Sequence, residues 1–245
     1  MAYKAASAVN RNISFDGDNH ISVGSLEEAK VIVEETLASF LSGFKTKHYT
    51  IAMTDPESNW RNDIYPLYKS NRKDKPRPTC LDPIKEYIKA EHPTYQRPTL
   101  EADDILGILA TSDRIIKHPG EKIIISADKD MKSIPGLFYD LGPREVFEIS
   151  ETEANHFHML QTLTGDTVDG YPGCPGIGPV KAARILEEGD SHDEWWPLVL
   201  AAYERAGLTE DDALAQARVA RILRVQDYNF KTKEVRLWLP TSTKN

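Results

Sequence analysis

Eight carboxylates gathered in four short clusters constrain this chain more than any other feature. They are Asp55; Glu101, Asp103 and Asp104 in EADD; Asp128 and Asp130 in SADKD; and Asp166 and Asp169 in GDTVD. Three of the clusters follow or flank apolar runs of the buried-strand or buried-helix kind. A fold that brings these acids together must offset their mutual repulsion and the cost of leaving bulk water. An oxygen-only set suits Mg²⁺ or Mn²⁺. Two such ions about 3.5–4 Å apart would serve an in-line phosphoryl displacement. The alternative is acids scattered over surface turns and helix starts, where the helix dipole favours them in any case.

The pattern of the chain decides where the clusters fall. Residues 49–53 and 122–126 read as short apolar strands, with Asp55 and Asp128 just past their carboxyl ends. A helix beginning near Leu100 carries EADD in its first turn. Residues 2–9 read as a helix without a cap, and 13–23 as a hairpin turning at Asp16-Gly17. Ser25 and Glu28 form an S-x-x-E capping box for a helix reaching about Ser42. A helix is expected over about 81–90, with strands near 95–97, 137–140 and 145–149. Helical and extended segments alternate, so the expected class is α/β, a mostly parallel twisted sheet flanked by helices. Ligands of such sheets bind beyond the carboxyl ends of the strands. After residue 150 the pattern turns helical, near 151–163, 179–188, 193–206 and 210–225, and ends in a hairpin or extended segment. The expected domains are a core over 1–150, with a short irregular region at about 56–98, and a helical subdomain over 151–245.

The net charge of -8 argues at first against a nucleic-acid partner, but the eight clustered acids alone account for it. Lys69, Arg72, Lys73, Lys75 and Arg77 are opposed locally only by Asp74, and such a stripe can bind phosphate on an acidic protein. Trp60 and Tyr65 could stack on bases, though packing is the expected use. Two cysteines are too few for a disulfide framework, and no apolar run approaches the roughly 20 residues of a membrane span. The first residues lack the apolar core of a signal peptide, which places the expected site of action in the cytoplasm. His156 and His158, two apart on a helix, do not share a face and are not read as ligands.

The most specific local signal is GCPGIGPVKAARIL at 173–186. Gly176 and Gly178 can adopt positive φ, and a helix opening at Pro179 offers free N–H groups as a phosphate nest beside Lys181. This is the pattern of a helix-hairpin-helix element, which grips a DNA backbone without reading sequence.

Taken together, Asp55, YKSNR (68–72), EADD, SADKD and GDTVDGYPGCPGIGPVKAA (165–183) resemble, in order and spacing, the 5′-nuclease family. That family includes flap endonucleases, the 5′–3′ exonuclease domain of bacterial DNA polymerase I and phage exonucleases, and this chain looks most like a phage exonuclease. The resemblance implies a PIN-like core and a monomeric two-metal nuclease that cuts DNA at or near a 5′ end, with some members also removing RNA primers from RNA–DNA hybrids. It makes Asp55, Glu101, Asp103 and Asp104 similar to the first metal's ligands or near-ligands, and Asp128, Asp130, Asp166 and Asp169 similar to those of the second. Lys69 and Arg72 match the catalytic cations, Lys73, Lys75 and Arg77 extend the basic stripe toward DNA, and Gly176, Gly178 and Lys181 match a hairpin that often also holds K⁺. The family usually opens with a buried strand ending in Asp-Gly-Asp before a helix; here a helix-like segment starts at residue 2, and Asp16-Gly17-Asp18 reads as a hairpin turn. A truncated relative that binds duplex or branched DNA without cutting is the second expectation, and a single-strand RNase of PIN-like fold the third.

Overall fold

Ser25 accepts a hydrogen bond from the Glu28 N–H at 3.2 Å and opens a helix, as its sequence pattern requires. Glu28 turns its own side chain to Arg11 at 3.3 Å, so only half of the expected capping box forms. The computed structural model describes residues 1–14, 20–72 and 76–240. In chain order the first elements are α1 (Ala2–Ala8), β1 (Asn10–Ser14), β2 (His20–Gly24), α2 (Leu26–Gly43) and β3 (Ile51–Ala52). Next come α3 (Arg61–Ile64), α4 (Leu81–Glu91), β4 (Thr94–Tyr95), α5 (Ala102–Thr111), β5 (Ile123–Ser126), β6 (Gly136–Asp140) and β7 (Glu145–Ile149). The remainder is α6 (Glu151–Thr164), α7 (Pro179–Leu186), α8 (His192–Arg205), α9 (Glu210–Ala220), β8 (Tyr228–Asn229) and β9 (Glu234–Val235).

These elements form two compact units, Met1–Met53 with Asp74–Tyr95, and Thr54–Lys73 with Gln96–Asn245. In the first, Ala5, Ala6, Ala29, Val33, Ile84 and Ile88 bury α1, α2 and α4 against one another, the alanines allowing close approach. β3 and β4 pair in parallel, and β1 and β2 form the expected antiparallel hairpin. The turn at Asp16-Gly17, and with it the Asp16-Gly17-Asp18 triplet, lies outside the described residues.

In the second unit β5, β6 and β7 make one sheet, with β5 parallel to β6 and β6 antiparallel to β7. The α/β class stands, but the strands are mixed rather than mostly parallel. The four-residue link 141–144, with Arg144 at φ 61°, is too short for a crossover and returns the chain as a hairpin. The units also do not part at residue 150. Ile149 and Ala154 on either side of that position are buried in one cluster with Ile124, Met131 and Phe138. Behind this layer, α6, α7, α8 and α9 enclose a second core of Met159, Leu163, Leu186, Trp196, Tyr203 and Ala217. The expected last helix stops at Ala220 rather than 225, because the chain beyond turns extended and the Leu223 N–H is drawn to Asp104 at 3.2 Å.

Two glycines close the loop that carries GDTVD. Gly165 at φ 65° and Gly173 at φ 66° lie back to back, and a Cβ on either would come within 2.3 Å of the other's backbone neighbourhood. That contact fixes the loop in which Asp166 and Tyr171 exchange backbone hydrogen bonds of 2.8 and 3.1 Å.

Candidate active site

EADD divides into two roles at the start of α5. Glu101 is the N-cap, and Asp104 Oδ2 accepts from the Glu101 N–H at 3.3 Å. Asp104 is fully buried and faces inward. It accepts from Arg61 Nη1 at 2.7 Å and Nη2 at 2.8 Å, from Trp60 Nε1 at 3.0 Å and from the Leu223 N–H. Arg61, 3% exposed, also donates to Glu101 at 3.1 Å and to the carbonyls of Val219 at 2.9 Å and Arg221 at 2.7 Å. Burial works against the Arg61 charge, but Asp104, Tyr68 and Glu101 outweigh it and raise its pKa well above the ordinary value. Both Asp104 oxygens are therefore engaged inside the protein, which sets it apart from the other acids expected as ligands or near-ligands. Arg61 was not legible in the sequence, since one arginine in a polar stretch carries no signal of burial.

Around this pair the separate motifs meet. Lys69 Nζ donates to Glu101 Oε1 at 2.5 Å and lies 3.5 Å from Asp169. The Tyr68 hydroxyl bridges Glu101 at 2.9 Å and Asp169 at 3.0 Å, and Arg72 Nη2 donates to Asp169 Oδ1. Burial would raise the Glu101 carboxyl, but Arg61 and Lys69 hold it at about 2. Lys69 adopts φ 54°, unusual for a side chain of its kind, and its N–H donates to the Asp169 carbonyl at 2.7 Å. The Asn71 amide reaches the carbonyls of Thr167 at 3.1 Å and Val168 at 3.3 Å. YKSNR is thereby hung on the GDTVD loop.

The other acids show less compensation. Burial, Asp128 and Glu101 push the Asp103 carboxyl up to about 7. Asp103, Glu101, Asp130 and Asp169 line a small cavity of about 20 Å³ closed by Arg61, Tyr68 and Tyr171. Lys129 Nζ bridges Asp130 at 2.7 Å and Asp166 at 2.8 Å. Burial also raises Asp130, whereas Lys129 and the N–H groups of Val168 and Asp169 overcome burial and lower Asp166. Asp128, past the end of β5, accepts from the Asp130 N–H at 2.9 Å. Among the described residues no three acids already converge as a metal cage; Lys69, Arg72 and Lys129 hold Glu101, Asp130, Asp166 and Asp169 in ion pairs instead.

Some expected site residues stand apart. Asp55 binds the Thr99 N–H at 2.7 Å and the Ser58 hydroxyl at 3.2 Å and does not line the cavity. Arg77 belongs to the first unit, where it pairs with Asp82 at 2.8 Å in solvent. Lys73 and Lys75 lie outside the described residues. Trp60 packs, with the Arg61 guanidinium 4.6 Å from its ring, and Tyr65 packs against the Tyr68–Tyr171 cluster. Gly176 at φ 72° and Gly178 precede α7 on an exposed loop; Gly178 is the N-cap and offers no side chain to the first N–H groups. Lys181 is exposed beside them, 3.4 Å from the Gly176 carbonyl.

The family model for the 5′–3′ exonuclease N-terminal resolvase-like domain matches residues 7–136, more than half of the chain. The chain belongs to the 5′–3′ exonuclease family. It is a nuclease of the exonuclease and flap-endonuclease type. It is 29% identical to the exonuclease of Escherichia phage T7, over 98% of this chain and 91% of that protein. It is 33% identical to the flap endonuclease Xni of Shewanella sp. (strain ANA-3), over 57% of each. Its fold is similar to that of a solved T5 5′-exonuclease with bound zinc ions, at a TM-score of 0.56 and 18% identity, covering 78% of this chain and 84% of that one.

Proposed function

We propose that this family member is a divalent-metal-dependent 5′–3′ exonuclease and flap endonuclease that hydrolyses phosphodiesters at or near DNA 5′ ends in the cytoplasm of a bacterial host. The observation that carries this reading is the meeting of Tyr68, Lys69 and Arg72 with Glu101 and Asp169, two acids that line one cavity, from three motifs distant in the chain. The T5 flap endonuclease, a structural relative, is known in a pseudo-enzyme–product complex with DNA and metal ions, at a TM-score of 0.54.

The donor set fits hard divalent cations. It is all oxygen, and Asp103 is pushed toward neutrality by burial, Asp128 and Glu101, a repulsion that a cation there would relieve. Glu101, Asp103, Asp128, Asp130, Asp166 and Asp169 would hold Mg²⁺ or Mn²⁺. Bound there, the metal would supply an activated water and stabilisation of phosphoryl charge. Lys69 and Arg72 would release their carboxylates to grip the scissile and adjacent phosphates. Tyr68 would keep Glu101 and Asp169 in register. The exposed Gly176–Lys181 segment would hold the duplex backbone through free N–H groups and one ammonium.

A 5′-labelled duplex, a 5′ flap and the same duplex with an RNA 5′ segment test the reading in Mg²⁺ against EDTA. Metal-dependent release of 5′ products, lost in Asp128→Ala, supports it. Binding without cleavage in Mg²⁺ and Mn²⁺ replaces it with the binding-only relative.

A further inference from the structure

We propose that Gln161 is a positioning residue that aims Asp130 at the cavity. This rests on the reading of Asp130 as a metal ligand. Gln161 lies in the last turn of α6 and is 5% exposed. Its Nε2 donates to Asp130 Oδ1 at 2.7 Å. Its Oε1 is buried without a hydrogen-bond partner among the described residues. A carboxylate only accepts, so the amide must present its nitrogen to Asp130, and turning it over would set oxygen against oxygen. Among the described residues only the nitrogen end of the amide is satisfied. A leucine or methionine would fill the space without burying an unpaired carbonyl. A buried amide that is half satisfied against one acid is poor construction and useful orientation, and departures from local rules gather at functional sites.

The geometry shows what the orientation does. Asp130 Oδ1 receives Gln161 and Lys129, while among the described residues no donor reaches Oδ2. Asp130 lines the cavity with Asp103 and Asp169. Fixing Oδ1 from behind fixes the direction of Oδ2. Lys129 is 63% exposed at its side chain and free to leave; Gln161 is not. The amide is carried by a rigid element. α6 is capped by a Ser150–Glu153 box, the next residue's carbonyl accepts from the Tyr203 hydroxyl at 2.6 Å, and His158 one turn earlier binds the Ala217 carbonyl at 2.7 Å. Outer partners of this kind tune metal affinity by about 10–100-fold.

The test titrates Mn²⁺ into the full chain without DNA, by calorimetry or loss of the free-ion EPR signal, for wild type, Gln161→Met, Gln161→Leu and Asp130→Asn. The expected result is Mn²⁺ affinity about 10-fold or more weaker in Gln161→Met. The Mg²⁺ midpoint for cleavage should rise in parallel, while DNA affinity in EDTA and thermal stability hold or improve. Gln161→Leu also removes the donor without adding a titratable group, so it should weaken Mn²⁺ binding as well and covers a failure of the methionine variant to fold. Weak binding in Asp130→Asn with wild-type binding in both Gln161 variants overturns the positioning role alone. Wild-type binding in Asp130→Asn overturns the ligand reading and this role together.

Discussion

Replacing Arg61 by methionine should unfold this protein more readily than its place in a polar stretch suggests. The side chain makes five hydrogen bonds: two to Asp104, one to Glu101 and one each to the carbonyls of Val219 and Arg221. Methionine fills the stem but leaves Asp104, with no exposed surface, holding a charge against only Trp60 and the N–H groups of Glu101 and Leu223. Breaking a buried pair from one side costs about 3–5 kcal/mol, a large part of a typical total of about 5–15 kcal/mol. The double variant Arg61→Met/Asp104→Leu should recover about 2 kcal/mol or more relative to the sum of the single variants, because neither charge is stranded. Urea unfolding followed by circular dichroism measures all four corners of the cycle. A cost for Arg61→Met under about 1 kcal/mol, or strict additivity, would refute the view that this pair is the keystone under EADD.

Gly107→Ala in α5 should destabilise by about 2 kcal/mol or more despite a better helix propensity, since the new Cβ would lie 2.3 Å from the Leu223 carbonyl; a thermal melt decides. Burial, with Arg221 and Arg224, holds the His192 pKa at about 4, and His158 lies well below its ordinary value for similar reasons. The unfolded chain then takes up these protons first, so stability should be complete above about pH 6.5 and drain as pH falls toward 4. Urea midpoints across that window should flatten in His192→Phe, and an unchanged slope would exclude His192 as a source. Lys69→Ala should cut single-turnover cleavage by about 10²–10³ with DNA affinity little changed, and a loss confined to affinity would remove Lys69 from the chemistry.

The sequence shows the elements because their signals are local. Ser25, Ser150 and Thr209 each accept from the N–H three residues on, and the apolar spacing of α2 and α4 sets their buried faces. The candidate site residues stand out for a similar reason, as acids and cations in short motifs. What was not legible depends on contacts far apart in the chain. Asp104 reads like its neighbours, and its buried pairing with Arg61, 43 positions away, leaves no mark in the motif. The strand order after β6 rests on a four-residue turn rather than on any feature of β7 itself. Gln161 is one polar residue inside an ordinary amphipathic helix, and its meaning comes from Asp130, 31 positions earlier.

The backbone tie between Lys69 and Asp169 has an evolutionary consequence. Because the amide of one segment is bonded to the carbonyl of the other, with Asn71 stitched to Thr167 and Val168, neither loop can change length by itself. A one-residue insertion in either would slide an ammonium off its acids while every motif letter remained in place. Descendants of this chain must therefore inherit these two short stretches as a matched set.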